Sequence, residues 1–314
     1  LPEPTRMCYR DGEQIGASVL VANAGETLTR LQVTVEVRET GGKHVGEALS
    51  KPVVLDPGAQ QIVEFQWPEL KLARDLYEIR FYLTEGKQAV DEVSTGFVIW
   101  RKDVVAKGPD VHWENNCFRI GDKPAHLLVG TNQTGVVLGP WWENPLAWER
   151  ELKQMRDWGL RVLRVLHISA FAGDLEKPEE KFLRRMDALV YMCQRQGIVL
   201  FPCMHDWLGG IALPEEVLQR ESRFAQILAE RYEDVPGIII DVENEASVGA
   251  NDVPELRAMF NHFLRGLYGD DEATLRATWG ENAKFGEVPY NWPPNPTGWQ
   301  DLRWLDFNLF RRRL

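Results

Sequence analysis

The sequence has no apolar run long enough to cross a membrane, because no stretch of about 18 apolar residues occurs in it. An initial Met and a signal peptide are also missing, since the chain starts at Leu1. The chain ends with a helical pattern that includes Phe310 to Leu314. We therefore expect no membrane span, and we interpret both ends as cuts in a longer protein.

An excess of positive charge is missing as well. The net charge is −11, from 36 Lys and Arg against 47 Asp and Glu. We therefore do not expect a general phosphate-binding surface or a nucleic-acid partner. A neutral ligand such as a sugar would not be repelled by this charge.

Cysteine is scarce, with four residues, and no CxxC pair or Cys/His metal-ligand spacing occurs. Cys193 falls in a helical pattern and Cys203 in a strand pattern, which predicts two buried thiols. A bridge between Cys8 and Cys117 is compatible with the sequence but has no support in it, so the redox compartment stays open. The phosphate-binding motifs GxGxxG and GxxxxGK[ST] are also absent after the strands, which gives nucleotide-binding folds little support.

Residues 1 to about 105 have the period of β-strands. Apolar and polar residues alternate from Leu31 to Arg38 and again from Tyr77 to Leu83, which puts the apolar side chains on one face. Turn signals separate the runs, and no long helical pattern intervenes. We predict an immunoglobulin-like β-sandwich with antiparallel strands as a domain of residues 1–107.

From about residue 110 strands and helices alternate. A hairpin-like segment at 118–124 leads into a strand at 126–132, and continuous apolar runs follow at 161–167, 198–204 and 238–242. Helical patterns lie near 146–158, 179–196, 214–233, 254–268 and 271–279. Continuous apolar strands are typical of a parallel sheet covered by helices. Four β/α units indicate either a doubly wound sheet or part of a (β/α)₈ barrel, and we assign residues 108–314 to the first half of a TIM barrel.

Polar residues lie within or directly after the apolar runs of three consecutive strands. The second strand carries Arg164, the third ends at His205, and the fourth ends in the sequence from Asp241 to Glu245. Functional residues in parallel β/α folds gather at the carboxyl ends of strands. A guanidinium, an imidazole, an amide and a carboxyl group are therefore expected on one rim.

These groups suit glycoside hydrolysis. Glu245 could protonate a leaving oxygen and then act as a base towards water, and Asn244 could bond a sugar 2-hydroxyl. Arg164 could orient a carboxylate through its fixed donors, and His205 could bond a hydroxyl. Neighbouring residues on a strand point to opposite faces, so Asn244 and Glu245 both reach the site only if the strand ends or bulges there.

Tryptophan is abundant, with 12 residues. Trp141 and Trp142 follow the first strand of the α/β region, on the rim that carries the other candidates. Aromatic rings stack on the apolar faces of ligands but also fill cores and interfaces. We take stacking of one of these two rings on a sugar as a hypothesis, with packing against the neighbouring domain as the alternative.

The three strand segments resemble the clan of retaining glycoside hydrolases that have a (β/α)₈ barrel and two catalytic glutamates. The segments are 159–164, 197–205 and 241–245, in the order found in cellulase- and mannanase-like members. Position 161 is Arg where Asn is common in those members. Residues 118–132 resemble the entry strand of β-galactosidase- and mannosidase-like members, and residues 267–289 resemble family 42 β-galactosidases.

This resemblance implies roles for the residues on the rim. Glu245 is implied to be the acid/base, Asn244 the contact to the 2-hydroxyl, Arg164 a support for the nucleophile, and His205 a residue of the site wall. The nucleophile of the clan is a second Glu after strand seven, which this sequence does not reach. We therefore expect a hydrolase of β-glycosidic bonds, β-galactosidase-like, whose 314 residues are inactive alone.

Two other interpretations stay open: an endo-acting mannanase- or glucanase-like hydrolase, and a catalytically inactive carbohydrate-binding protein. Association of two half-barrels is a further alternative, because a half-barrel has two open sheet edges. The chemistry requires no metal or organic cofactor, and the expected partner is an oligo- or polysaccharide. Since polysaccharide-degrading enzymes are often exported, we expect an extracellular or periplasmic location.

Overall fold

A computed structural model of the protein describes residues 1–124, 129–134, 144–205, 215–244, 253–280, 282–291 and 301–313. The chain divides into two compact units. The first contains residues 1–205 and 223–242, and the second contains residues 206–222 and 243–314. The domain boundary expected near residue 107 stays a prediction.

The N-terminal region consists of eight strands in two sheets. The strands are Pro2–Pro4 (β1), Cys8–Tyr9 (β2), Gly16–Ala22 (β3), Thr29–Glu39 (β4), His44–Leu55 (β5), Gln60–Gln66 (β6), Leu76–Glu85 (β7) and Gln88–Ile99 (β8). One sheet has the order β1-β3-β6 and the other the order β2-β8-β7-β4-β5.

The alternation predicted for these strands builds one core between the two sheets. Val19 and Phe65 of the first sheet share a cluster of buried side chains with Val35, Ile79 and Phe81 of the second. The expectation of purely antiparallel pairing is wrong, because β2 pairs with β8 in parallel. The short β2 lies along the end of β8, where Val98 N donates to Met7 O and Trp100 N donates to Tyr9 O, each at 2.9 Å. The immunoglobulin-like type of this region stays a prediction.

The α/β region begins with a short helix, Lys102–Val105 (α1), and three short antiparallel strands, Val111–Glu114 (β9), Cys117–Ile120 (β10) and Lys123–Pro124 (β11). A four-stranded sheet follows, built from Gly130–Thr134 (β12), Val162–Leu166 (β13), Val199–His205 (β14) and Asp241–Glu243 (β15). The helices between these strands are Pro145–Asp157 (α2), Glu180–Gln196 (α3) and Glu215–Tyr232 (α4), and a 3-10 helix spans Ile168–Phe171.

The order of this sheet distinguishes between the two folds that the sequence left open. The strands lie in chain order, β12-β13-β14-β15, and the register of β12 with β13 and of β13 with β14 is parallel. A doubly wound sheet reverses its strand order at a switch point, whereas a barrel adds each strand on the same side. The four strands therefore have the arrangement of consecutive barrel strands.

The sheet has two different faces. Leu163 and Val165 of β13 are buried in a core with Trp148 of α2 and Leu189 of α3. Because side chains alternate along a strand, Arg164 lies on the opposite face. One face of the sheet is thus apolar and covered by helices, and the other carries the polar residues of the rim.

The first unit also joins the N-terminal strands to the helices of the α/β region. The core that contains Leu189 includes Cys8, Leu76 and Val98. The carboxylate of Asp187 on α3 is fully buried and accepts a hydrogen bond of 2.9 Å from Arg10. Apolar burial and a buried ion pair therefore both connect residues far apart in sequence.

Among the described residues of the second unit, three helices lie entirely within it: Pro254–Tyr268 (α5), Glu272–Trp279 (α6) and Leu302–Arg311 (α7). Its core is rich in aromatic side chains, among them Phe260, Tyr290 and Phe307. Asp306 is buried at the edge of this core and accepts hydrogen bonds from the Tyr268 hydroxyl and, at 2.7 Å, from Trp279 Nε1.

The helices begin and end close to the predicted residues, but the fourth strand is displaced. It was expected at 238–242 and is observed at Asp241–Glu243. Ile238 forms an isolated bridge with Leu200, and Ile239 N donates to Leu200 O at 3.0 Å. Pairing therefore starts where the apolar run predicts, is interrupted, and resumes at Asp241. Within the described ranges, no helix is both long and apolar enough to span a bilayer.

Candidate active site

An ion pair between Arg164 and Asp241 lies on the polar face of the parallel sheet. Arg164 Nε donates to Asp241 Oδ2 at 2.8 Å, and Arg164 Nη2 donates to the same oxygen. Both side chains are about a quarter exposed, at 25% and 24%. Arg164 is on β13 and Asp241 on β15, so the long arginine side chain reaches across β14. The pair fixes the guanidinium on this face.

The electrostatics of the pair favour its charged form. Burial acts to lower the pKa of Arg164, but the hydrogen bonds and the charge of Asp241 outweigh it, and the pKa lies above its ordinary value. The guanidinium therefore stays charged. It is available to orient a second anion only through the donors that Asp241 does not use.

Cys203 lies between the ion pair and His205. Arg164 Nη2 is 3.7 Å from its sulfur, and the thiol donates to the backbone oxygen of His205 at 3.1 Å. Burial, followed by the charge of Asp241, raises the pKa of the Cys203 thiol. The thiol is therefore protonated at neutral pH, which argues against a role as nucleophile.

His205 ends β14, is 5% exposed, and shares this face of the sheet with Cys203. Its Nδ1 atom is 2.9 Å from the hydroxyl of Ser169. Ser169 belongs to the 3-10 helix Ile168–Phe171, which follows β13 directly. The structure thus brings Arg164 and His205, both predicted from the sequence, to neighbouring strands.

The fourth strand ends before Asn244, which is one of the two conditions under which Asn244 and Glu245 could both reach the site. β15 stops at Glu243, and Asn244 follows in a turn with a half-buried side chain. The strict alternation of a strand therefore does not apply beyond Glu243. The predicted acid/base Glu245 lies outside the described residues, as do Trp141 and Trp142.

Two contributors were not among the residues predicted for the site. Asp241 was expected only as part of the segment 241–245 at the end of the fourth strand, without a role of its own, and no role was predicted for Ser169. The alternation Asp241–Glu243 could have placed Asp241 on the polar face, but no sequence signal indicates that Arg164 reaches it. Ser169 lies outside any strand, so no periodicity predicts its contact with His205.

The described residues of the site in the first unit supply a neutralised ion pair, an imidazole and a thiol. Across the described part of the chain, no group of three or more His, Cys, Asp and Glu side chains is arranged to hold a metal ion. The groups present can donate hydrogen bonds to hydroxyl or carboxylate oxygens.

The candidate site residues on β13 to β15 lie in a part of the chain that matches a known protein family in sequence. Residues 122–267 match the family model for cellulase (glycosyl hydrolase family 5). That segment contains Arg164, His205, Asn244 and Glu245. No curated protein matches the chain in sequence.

Several solved structures resemble the chain at low identity. A calcium-binding mutant of Bacteroides uniformis β-glucuronidase 2 is 18% identical, with a TM-score of 0.38, over 88% of this chain and 32% of that one. The β-glucuronidase of Parabacteroides merdae is 16% identical, with a TM-score of 0.34, over 83% and 31%. A glycosyl hydrolase family 2 member from Bacteroides cellulosilyticus is 15% identical, with a TM-score of 0.33, over 81% and 32%.

The chain spans about a third of the length of these solved structures, 32%, 31% and 32% respectively. At these TM-scores the similarities carry no argument about its site. The sequence match is the finding that bears on the family. Over residues 122–267, which include every candidate site residue on strands β13 to β15, the chain is similar to the cellulase family in sequence, and its predicted resemblance to the glycoside hydrolases is confirmed.

Proposed function

We propose that this chain supplies the acid/base half of the active site of a retaining glycosidase that cleaves β-glycosidic bonds. The observation that carries the proposal is the placement of Arg164, Asp241 and His205 on one polar face of a parallel sheet in chain order, inside the segment that matches cellulase. Active sites of barrel enzymes lie at the carboxyl ends of such strands.

Each residue has a defined role in this proposal. Glu245 gives a proton to the leaving oxygen and later takes one from water, as retaining enzymes require. Asn244, in the turn after β15, bonds the sugar 2-hydroxyl. Arg164, held by Asp241, orients the nucleophilic carboxylate, and His205 bonds a sugar hydroxyl. Trp141 or Trp142 stacks on the apolar face of a sugar ring.

The nucleophile is proposed to lie outside this chain segment. In retaining enzymes the two carboxyl groups are about 5–5.5 Å apart. Among the described residues we assign no carboxylate to that position, because Asp241 is already paired with Arg164. The 314-residue chain alone is therefore proposed to be inactive.

Two substrate classes remain for the proposal. A β-galactosidase-like activity is supported by the sequence features at 118–132 and 267–289. The match to the cellulase family favours the alternative, an endo-acting glucanase- or mannanase-like enzyme. The proposed partner in either case is a β-linked carbohydrate, and the N-terminal strands are proposed to form an immunoglobulin-like accessory domain.

The experiment that tests the proposal begins with the natural protein. Peptide mapping beyond Leu314 shows whether the chain continues, and the intact protein is then assayed on aryl β-galactoside, β-glucoside, β-mannoside and β-glucuronide, and on cello- and manno-oligosaccharides. Glu245→Gln is expected to lower kcat about 10²–10⁴-fold, because it removes the general acid/base.

Glu255→Gln is the matched control, since it makes the same change on the exposed side of α5 and should leave kcat unaltered. Equal activity of the two variants would contradict the role of Glu245. Sugar binding without turnover in the intact protein would favour a catalytically inactive carbohydrate-binding protein.

A further inference from the structure

Ser169 contacts the candidate site from outside the four strands. Its hydroxyl is 2.9 Å from His205 Nδ1, and the imidazole is the only hydrogen-bond partner of this hydroxyl in the part of the chain that the structure describes. The serine is half-buried and His205 is buried. The contact therefore joins a loop residue to a group already placed in the site.

The backbone holds Ser169 in place. His167, the residue directly after β13, has φ of 61°, in the left-handed region that non-glycine residues seldom adopt. Ile168 is fully buried in the core, and Ala172 N donates to the backbone oxygen of Ser169 at 3.1 Å. Backbone conformations of this kind persist only when their surroundings enforce them, and they cluster at functional sites.

The backbone of His205 is also held by a hydrogen bond. The Cys203 thiol donates to its backbone oxygen at 3.1 Å, and burial keeps that thiol protonated by raising its pKa. Both the backbone and one ring nitrogen of His205 are thus constrained. The remaining freedom of a neutral imidazole is which nitrogen carries the proton.

The hydrogen bond of the Ser169 hydroxyl determines which ring nitrogen of His205 carries the proton. A hydroxyl has one proton and two lone pairs, and a half-buried donor without an acceptor costs more than an unused lone pair. With the imidazole as its partner, Ser169 is expected to donate to Nδ1. A neutral ring whose Nδ1 accepts carries its proton on Nε2.

We propose that Ser169 is a positioning residue that holds His205 in the Nε2–H tautomer, so that His205 donates a hydrogen bond to a substrate hydroxyl oxygen. The ligand class is a β-linked sugar, and this part rests on the proposed function. Ser169 acts through His205 and is not itself placed in contact with substrate.

The test measures the tautomer directly by ¹⁵N NMR of imidazole nitrogens in the 314-residue chain at about pH 8, where an ordinary His is neutral. The chain has 6 His, and loss of one set of signals in His205→Gln assigns His205. The native protein is expected to show an unprotonated Nδ1 and a protonated Nε2. A protonated Nδ1 in the native protein overturns the proposal without any further variant.

Three variants separate positioning from general structure. Ser169→Ala is expected to give averaged shifts from both tautomers, and Ser169→Thr, which keeps the hydroxyl, to restore the native shifts. Ser222→Ala, an exposed helical serine, is the control and should leave them unchanged. Native His205 shifts in a folded Ser169→Ala protein overturn the role of Ser169.

Titration with lactose, cellobiose and mannobiose tests the substrate part separately. The His205 Nε2–H signal is expected to shift with one of these sugars in the native protein and in Ser169→Thr. In Ser169→Ala the size of this shift is expected to be at least tenfold smaller. The expected tautomer with no shift from any sugar contradicts the sugar ligand and the proposed function, while the positioning of His205 by Ser169 stands.

Discussion

The guanidinium of Arg164 is held by a single carboxylate oxygen of Asp241 two strands away. An arginine in this environment needs its counter-charge, because removing one partner leaves the other incompletely solvated. Arg164 was predicted to support a carboxylate nucleophile. The structure adds that one carboxylate already orients it, so a second would bind a preorganised group.

We predict that Asp241→Ala destabilises the chain by about 1–3 kcal/mol, a value between those of exposed and buried ion pairs, since the pair is only partly buried. Urea unfolding of the purified protein measures the change. Asp157→Ala, at an exposed pair with Lys153 on α2, is the control and should leave the unfolding midpoint unchanged. Equal midpoints for both variants would show that the Arg164–Asp241 pair contributes nothing.

Residue-scale prediction from the sequence succeeded where a residue lies on a periodic element and failed where it does not. Arg164 lies within one apolar run and His205 directly follows another, so their positions on β13 and at the end of β14 could be predicted. Ser169 and Asp241 enter the site through contacts between strands and a loop. No local pattern encodes such contacts, because they depend on how separate elements pack.

At the scale of elements, helix ends follow local chemistry. α2 begins after Asn144, whose side chain accepts from Leu146 N at 2.9 Å, with Pro145 at the first helical position. α3 ends at Gly197 with φ of 67°. These signals are contained in a few neighbouring residues, which is why the predicted helices agree with the observed ones.

Gly197→Ala is predicted to destabilise the chain by about 1 kcal/mol, because an L side chain is disfavoured in the left-handed conformation at a helix end. No atom lies within 4 Å of the position that its Cβ would take, so the effect reports conformation rather than a clash. Thermal unfolding measures it. Gly41→Ala, in a turn with open space and without positive φ, is the control, and a similar loss there would contradict the argument.

The fourth strand shows the limit of element-scale prediction. Its apolar run was predicted to be the strand, but the observed β15 begins three residues later, at Asp241 rather than Ile238. Hydrophobicity indicates which residues are buried. Pairing along a neighbouring strand depends on backbone hydrogen bonds, and these are decided only when β14 is in place.

At the scale of the whole molecule, Asp187 links distant parts of the first unit. Besides Arg10, its buried carboxylate accepts from Arg231 at 2.7 Å and from the Tyr232 hydroxyl at 3.1 Å. Burial and the neighbouring Asp187 charge raise the pKa of Tyr232, which keeps this hydroxyl protonated as a donor. One α3 residue thus ties the N-terminal strands and the end of α4 together.

Asp187→Asn is predicted to cost about 3–5 kcal/mol, since it leaves two guanidinium groups without their shared counter-charge in a buried site. Urea unfolding followed by tryptophan fluorescence measures this loss. Asp157→Asn is the isosteric control at an exposed position. A change at Asp187 no larger than that of the control would contradict a linking role.

Asp306 gives the second unit a predicted pH dependence. Burial raises the pKa of its carboxyl above the ordinary 3.8, although hydrogen bonds from Tyr268 and Trp279 oppose the shift. A raised folded-state pKa means that the contribution of this group to stability is complete below the unfolded pKa and is lost as pH rises through the folded pKa.

Asp306→Asn is therefore predicted to gain stability relative to the native protein as the pH rises from about 4 to 8, because the amide oxygen still accepts both hydrogen bonds and carries no charge. Thermal unfolding across this range measures the difference. A difference that is constant with pH would show that Asp306 titrates normally, and Asp270→Asn, at an exposed residue after α5, controls for a general effect of charge.

The sequence by itself determined the elements of this protein, the change from β-rich to α/β organisation, and the polar residues at the strand ends. These depend on periodicity, turn residues and helix caps, which act over a few residues. Only the tertiary structure decided the chain-order arrangement of the parallel sheet, the parallel entry of β2, and the partners of Arg164 and His205. Strand order and side-chain partners depend on contacts between residues far apart in the chain, for which the local pattern contains no information.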